Sequence, residues 1–138
     1  MVMVDGWQAR FGLPADVVKG AMPISGLFDL RQLVGSFTDE WAPLDTGRAT
    51  ELSPLLAPVG GGPAIVAVAE HDGIAFMPQS QAFHHAWAQD SVSRLLVVED
   101  RHHYDAFTEL ADPDARLTRA LIDMIHDPTS VEAATFPE

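Results

Sequence analysis

Residues 63–98 decide the fold, and they read PAIVAVAEHDGIAFMPQSQAFHHAWAQDSVSRLLVV. Two short runs in this stretch, residues 63–69 and 94–98, are almost continuously apolar. Such runs are typical of strands that are buried on both faces of a parallel sheet. Between them, apolar residues recur near helical spacing over residues 77–89, and Pro78 suits the first turn of a helix. The stretch therefore predicts a βαβ unit.

The segments on either side of this unit extend the same pattern. Upstream, residues 17–24 form a third apolar run of strand length, followed by short predicted helices over 30–34 and 46–52. Residues 54–63 are rich in proline and glycine and predict a loop. Downstream, an apolar stripe predicts a last helix over 117–125. Together these segments predict an α/β fold with three layers and a sheet of three parallel strands.

Length and composition indicate one globular domain over residues 1–138. The chain has 138 residues, of which 47% are hydrophobic and 20% are charged. This is enough apolar material for one hydrophobic core, and the balance does not indicate intrinsic disorder. We find no internal repeat or linker that would divide the chain.

The charge balance and the absence of cysteine exclude several functions. Acidic residues outnumber basic ones by 20 to 8, which gives a formal net charge of -12, and Lys19 is the single lysine. Nucleic acids and anionic membranes select for clustered lysine and arginine, so neither is expected as a partner. Without cysteine there is no disulfide, thiolate nucleophile, zinc–thiolate site or iron–sulfur cluster. We expect no cofactor.

The sequence also predicts the compartment. Residues 1–11 lack the basic stretch, apolar run and cleavage site of a secretory signal. No apolar stretch reaches the roughly 18 residues that cross a bilayer. We therefore expect a cytoplasmic protein.

The loops that follow the second and third predicted strands carry the candidate chemistry. They read EHDG over residues 70–73 and EDRHHYD over residues 99–105. Parallel strands end at the same edge of a sheet, so a carboxylate of the first loop can reach an imidazole of the second. Such a pair can act as a general base for a hydroxyl nucleophile.

Two other interpretations of these loops remain open. The side chains can be ordinary polar loop residues without a catalytic role. Alternatively, His71, Asp72, His102 and His103 offer nitrogen and oxygen ligands for a metal ion. Against a metal site, the histidines do not have H-E-x-x-H spacing, and adjacent histidines direct their side chains apart.

An ordered set of short motifs resembles a known family over nearly the whole chain. The motifs are GLPADVVKG (12–20), PISGLFDL (23–30), LSPL (52–55), DGIAF (72–76) with Gln79 and Ser80, RHHY (101–104) and LADP (110–113). They resemble the branch of the α/β hydrolases that contains kynurenine formamidases and related carboxylesterases. The resemblance implies an incomplete α/β-hydrolase fold that holds the last three strands and their helices.

The resemblance also implies roles for individual residues. Asp72 matches the acid of the family's catalytic triad, and His103 matches its histidine. His102 is the adjacent alternative, but Tyr104 follows His103 as an aromatic residue does in the family pattern. Ser25 lies in a segment that the family retains for structure and does not match the nucleophile.

The chain departs from the family in one important way, because it contains no Gly-x-Ser-x-Gly nucleophile elbow and no His-Gly-Gly oxyanion segment. The three glycines at residues 60–62 lie before the predicted strand that leads to Asp72, and they predict a loop. We therefore interpret the chain as the C-terminal half of a hydrolase of carboxylic esters or N-formyl amides, inactive by itself. The alternative is a noncatalytic, truncated module.

Either interpretation leaves one edge of the predicted sheet open. The strand over residues 17–24 would normally pair with the strand that leads into the nucleophile elbow. Without that neighbour, its backbone donors and acceptors are free to pair with another chain. We therefore expect a homo-oligomer or association with a complementing chain.

Overall fold

The longer elements of the protein alternate between helix and strand. The computed structural model describes residues 6–57 and 60–131. In chain order, the elements are α1 Thr46–Leu52, β1 Ala64–His71, α2 Phe76–Trp87, β2 Ser93–His102 and α3 Arg116–His126. Short 3-10 helices lie over Gln8–Phe11, Leu30–Leu33, Phe37–Glu40, Pro54–Leu56, Ala106–Ala111 and Pro128–Val131.

The central βαβ unit is present as predicted. Strands β1 and β2 are parallel neighbours, with Ala64 opposite Ser93 and Ala69 opposite Val98. Helix α2 connects them, and Pro78 lies in its first turn, where a missing N–H costs no helical hydrogen bond. Residues 64–69 are all buried, which explains why this run shows no polar alternation.

The prediction of a third strand over residues 17–24 is wrong. In the described part of the chain the sheet has two strands, and the segment pairs with β1 only at two isolated parallel bridges, Ala21 with Ala64 and Ile24 with Ala67. Both bridges have the same register. In that register the N–H of residue 23 would donate to the Ile65 carbonyl, and this hydrogen bond is missing. Pro23 has no N–H, so the ladder is interrupted at that position.

Helices α2 and α3 cover opposite faces of the sheet, which gives the three predicted layers. On the α2 face the buried core comprises Phe28, Ala64, Val66, Phe83 and Trp87. On the α3 face it comprises Ile65, Ala67, Ala69, Leu96, Val98, Ala106, Leu117, Ala120, Met124 and Val131. Burying one large apolar side chain stabilises a fold by about 1.5–3 kcal/mol, so these two layers fix the positions of the loops at the sheet's edge.

Hydrogen bonds fix the start of α1 and the end of the loop before β1. The Asp45 side chain caps α1 by accepting the Arg48 N–H at 2.7 Å. The carbonyl of Gly62 accepts hydrogen bonds from Trp87 Nε1 at 3.0 Å and from Ser91 Oγ at 2.7 Å. Gly62 has φ 83°, a left-handed conformation that favours glycine. The end of the predicted loop before β1 is therefore fixed by specific contacts.

No helix in residues 6–57 or 60–131 has the length and apolar character needed to cross a membrane.

Candidate active site

A bulge in β2 places the loop after β1 and the loop after β2 side by side at one end of the sheet. Residues 64–69 pair in constant register with residues 93–98. In that register His71 would face Asp100, but it pairs with His102 because extra residues of β2 form a bulge. Asp100 lies in the bulge with φ 54°, a conformation that aspartate tolerates better than most residues. The bulge aligns the loop after β2 with the loop after β1.

Asp72 and His103 form a hydrogen-bonded pair at this end of the sheet. His103 Nδ1 lies 2.9 Å from Asp72 Oδ1. The Asp72 side chain is 2% exposed, whereas the His103 side chain is 39% exposed. A carboxylate only accepts hydrogen bonds, so the pair holds the imidazole with its proton on Nδ1 and leaves Nε2 available. The predicted approach of the two side chains is therefore observed.

His102 has a different set of partners. Its ring Nδ1 lies 3.3 Å from Asp105 Oδ1, and its backbone N–H donates to the same oxygen at 2.7 Å. The Tyr104 N–H lies 3.3 Å from His102 Nδ1. These contacts organise the turn after β2, and they leave His103 as the histidine that contacts Asp72.

The imidazole of His103 lines an open cleft of about 720 Å³. The ring of His103 packs against Phe76, with centroids 4.5 Å apart, and meets Tyr104 edge to face at 5.3 Å. Other side chains of the cleft include Leu27, Leu33, Phe37, Thr38, Trp41 and His71. Phe37, Trp41 and Tyr104 are 81%, 70% and 81% exposed. The cleft therefore combines the imidazole that contacts Asp72 with an aromatic rim.

Ser25 contacts the acid of the pair. Its hydroxyl donates to Asp72 Oδ2 at 2.5 Å, and the Ala69 N–H donates to the same oxygen at 3.2 Å. No hydrogen bond joins Ser25 to His103 among the described residues. The hydroxyl therefore donates to the Asp72 carboxylate, on the side away from the imidazole of His103.

The four side chains that the alternative interpretation offered as metal ligands are not brought together as a set. Asp72 and His103 contact each other, whereas His102 Nδ1 accepts the Tyr104 N–H and lies 3.3 Å from Asp105 Oδ1. Within the described ranges, the side chains that could hold a metal ion are instead those of Glu70, His71 and Asp100, whose ligand atoms lie within 4.8 Å of one another. All three side chains are exposed, and Glu70 Oε2 already accepts the Asp100 N–H at 2.9 Å.

Two contacts position the segment that follows Ser25. Gln79 Oε1, on α2, accepts the N–H groups of Phe28 and Asp29 at 2.7 Å each. The guanidinium of Arg31 forms hydrogen bonds with both Asp29 oxygens and lowers the pKa of the Asp29 carboxyl. These contacts hold Leu27 and Leu33 against the cleft.

Sequence reasoning did not assign these supporting roles. Gln79 and Ser25 stand in the motifs that carried the family resemblance, but their partners are about fifty residues away in the chain. The available signal for Gln79 was its position four residues before Phe83, which places both on one face of the helix. For Phe37 and Trp41, nothing in the sequence distinguished residues that line a cleft from ordinary exposed aromatic residues.

The fold and the carboxylate–imidazole pair fit the hydrolase-like class of α/β proteins. Comparison with solved structures agrees: the chain is similar to a candidate thioesterase from a Silicibacter species, with 27% sequence identity and a TM-score of 0.65. This similarity covers 85% of the chain and 43% of that protein.

The curated relatives are kynurenine formamidases. The chain is 25% identical to the enzyme of Salmo salar over 133 residues and 26% identical to that of Danio rerio over 132 residues. Each match covers 91% of this chain but only 45% and 44% of the two relatives, so the chain spans less than half their length. No family profile matches the chain. The resemblance to kynurenine formamidases is confirmed, and these relatives support a hydrolase-type function.

Proposed function

We propose that this chain supplies the acid and the base of a serine-type hydrolase that acts on small carboxylic esters or N-formyl amides. The observation that carries the proposal is the Asp72–His103 hydrogen bond of 2.9 Å, which joins a buried carboxylate to a half-exposed imidazole in a cleft. The named activities of the relatives favour an acyl-transfer reaction over other uses of such a pair.

His103 Nε2 has the role of general base in this reaction. It takes the proton of a serine hydroxyl as the serine oxygen attacks the substrate's carbonyl carbon. The same proton then passes to the departing alcohol or amine, which leaves an acyl-enzyme. Water repeats the sequence and releases the acid. Asp72 keeps the proton of the resting imidazole on Nδ1 and stabilises the imidazolium that forms.

The serine of this proposal comes from a segment outside residues 1–138, which contain no Gly-x-Ser-x-Gly motif. Residues 20–24 offer the place for that segment to pair. Ala21, Pro23 and Ser25 exchange backbone hydrogen bonds with β1 on one side. The backbone of Met22 and Ile24 alternates to the other side, where it has no hydrogen-bond partner among the described residues.

An apolar groove beside this open edge favours association. It has a volume of about 570 Å³ and is lined by Met22, Ile24, Leu110, Leu121, Met124 and Ile125, among others. Ile125 is 66% exposed in the free chain. A strand added to the edge, with a helix covering the groove, would bury both features and would end near His103.

Hydrolysis assays test the catalytic proposal. Alone, the purified chain should not hydrolyse p-nitrophenyl acetate or N-formylaniline and should not react with a fluorophosphonate probe. Co-purified with a Gly-x-Ser-x-Gly segment encoded upstream or in a separate reading frame, it should gain both activities. In that complex we expect His103→Ala to lower kcat by about 10⁴-fold, whereas the control His102→Ala stays within about threefold.

Three outcomes would count against this proposal. Turnover by the chain alone, together with fluorophosphonate labelling of Ser25 itself, would make Ser25 the nucleophile. Full activity of the complex with His103→Ala would remove the imidazole from the mechanism. Absence of any nucleophile-bearing segment in the genome would favour the noncatalytic module, for which the open edge is the specific supporting observation.

Hydrogen exchange tests the association. We expect a homo-oligomer, or a complex with the complementing segment, that protects the Met22 and Ile24 amides as concentration rises. The Ala21 amide is the internal control, because it donates to Pro63 at 3.1 Å within the chain and should be protected throughout. Two results together would reject this edge as the interface. Light scattering would show a monomer at all concentrations, and the Met22 and Ile24 amides would exchange freely when the nucleophile-bearing segment is present.

A further inference from the structure

Ser25 combines an unusual backbone conformation with a buried hydroxyl. Its φ is 49°, in the left-handed region that favours glycine, and the residue is 8% exposed. The Ser25 N–H donates to the Ala67 carbonyl at 2.9 Å, which ends the contact between the edge segment and β1. Glycine would adopt this conformation with less strain, but it has no hydroxyl to donate.

The Ser25 hydroxyl donates to Oδ2 of Asp72, whereas His103 contacts the other oxygen, Oδ1. Oδ1 faces His103 Nδ1 at 2.9 Å, and Oδ2 accepts from Ser25 Oγ at 2.5 Å and from the Ala69 N–H at 3.2 Å. A carboxylate turns readily about its terminal bond unless both oxygens have partners. Of the two donors to Oδ2, Ser25 is the closer, so it contributes most to fixing the plane of the group.

We propose that Ser25 is a positioning residue: its hydroxyl locks the Asp72 carboxylate so that Oδ1 holds the His103 imidazole in the Nδ1–H form. This inference rests on the proposed function for its catalytic meaning, since the Nδ1–H form presents Nε2 as the base. This role also explains the left-handed backbone of Ser25. The sharp turn at residue 25 directs Oγ into the loop after β1, where Asp72 lies.

The tautomer of His103 is the readout, and it can be measured on the chain alone by ¹⁵N NMR of the imidazole at neutral pH. Ser25→Gly removes the hydroxyl and relaxes the backbone, and Ser25→Ala removes the hydroxyl with Cβ retained. In both variants we expect the ratio of the Nδ1–H to the Nε2–H form to fall by about fivefold to tenfold, as the loss of one hydrogen bond predicts. The Nδ1 proton should also exchange faster with water.

Two controls separate positioning from general damage. Ser91→Ala removes a hydroxyl that bonds Gly62 at the other end of the sheet and should leave the His103 tautomer unchanged. Asp72→Asn should abolish the preference for the Nδ1–H form altogether. If both Ser25 variants are folded by circular dichroism and keep the wild-type tautomer ratio and proton exchange, the positioning role is wrong.

The outcomes distinguish this inference from the proposed function. A tautomer shift in a chain that never gains hydrolase activity would support the positioning and reject the hydrolase. Conversely, a hydrolase complex in which Ser25→Gly changes neither kcat nor the tautomer would keep the proposed function and reject the role of Ser25. Where both hold, Ser25→Gly should lower kcat and leave KM within about twofold.

Discussion

The two ends of the sheet both carry side-chain hydrogen bonds, but these bonds connect different kinds of group. At the amino end, Trp87 and Ser91 donate to the Gly62 carbonyl, and His84 Nδ1 lies 2.9 Å from Ser93 Oγ. These bonds connect α2 and β2 to the loop before β1. At the carboxyl end, the bonds to Asp72 converge on an imidazole that is 39% exposed in a cleft.

The difference separates structural polar groups from groups arranged for chemistry. A buried donor or acceptor must be satisfied wherever it lies, so a hydrogen bond by itself says nothing about function. At the carboxyl end, however, the bonds run from Ser25 through the Asp72 carboxylate to the imidazole of His103, and that imidazole lines a cleft. Substitutions at the amino end should therefore affect stability, and those at the carboxyl end should also affect the cleft.

The largest effect on stability is expected at the amino end, for Trp87→Ala. Trp87 is 1% exposed and lies in the core between α2 and β1. Its removal should lower the free energy of unfolding by about 3–5 kcal/mol, through a cavity and a lost hydrogen bond. Urea denaturation measures the change. The control is Trp41→Ala, a cleft residue that is 70% exposed, for which we expect less than about 0.5 kcal/mol. Equal losses would contradict the comparison.

The next effect is expected at the carboxyl end, for Gln79→Leu. The substitution leaves the buried N–H groups of Phe28 and Asp29 without their acceptor. We expect a loss of about 2–4 kcal/mol in unfolding free energy and faster hydrogen exchange of those two amides. Gln81→Leu on the same helix is the matched control, because Gln81 is exposed. Unchanged exchange at residues 28 and 29 would show that Gln79 does not hold the cleft segment.

The sequence predicted the parts of the fold that depend on local pattern. Helix α1 has the predicted bounds, and α2 and α3 lie within two residues of theirs, because buried positions such as Phe83 and Trp87 recur at helical spacing. The apolar run over 17–24 was misread because hydrophobicity reports burial, whereas a strand also needs a continuous ladder. Pro23 carried that information, since it removes a ladder donor.

The candidate site could be predicted only in part. Parallel strands that end at one edge predicted that a carboxylate of the loop after β1 meets an imidazole of the loop after β2. The resemblance to the hydrolase family singled out Asp72 and His103 within those loops. His102 stayed an alternative at that point, because the histidine that contacts Asp72 is set by the bulge in β2, which shifts the partner of His71 from Asp100 to His102. Nothing in the local sequence fixes the size of a bulge. The roles of Ser25 and Gln79 depend on tertiary contacts for the same reason.

A smaller effect is expected from pH at the amino end. Burial, and secondarily the charge of His85, lower the pKa of His84 below its ordinary value of 6.5. The unfolded chain then binds this proton more readily than the folded one, so the stability from His84 is present above the unfolded pKa and is lost as pH falls below it. Unfolding free energies at about pH 7.5 and about pH 5.5 should differ less in His84→Gln than in wild type. His126→Gln, at the exposed end of α3, should not reduce the difference.

The smallest change in stability, and the sharpest test of how the edge segment reaches the carboxyl end, is expected for Pro23→Val. Valine supplies the N–H that can donate to Ile65 between the two existing bridges, which should gain about 0.5–1.5 kcal/mol. Loss of the proline ring frees the unfolded chain and offsets this by about 0.4–1 kcal/mol, so the net change in unfolding free energy should be near zero. Hydrogen exchange separates the two contributions, because the amide of residue 23 should become as protected as that of Ala21. Pro14→Val is the control: Pro14 lies in the exposed segment before residue 17, so the new amide there should not be protected. Rapid exchange at residue 23 in the folded variant would show that the missing N–H is not what keeps residues 21–24 from forming a strand.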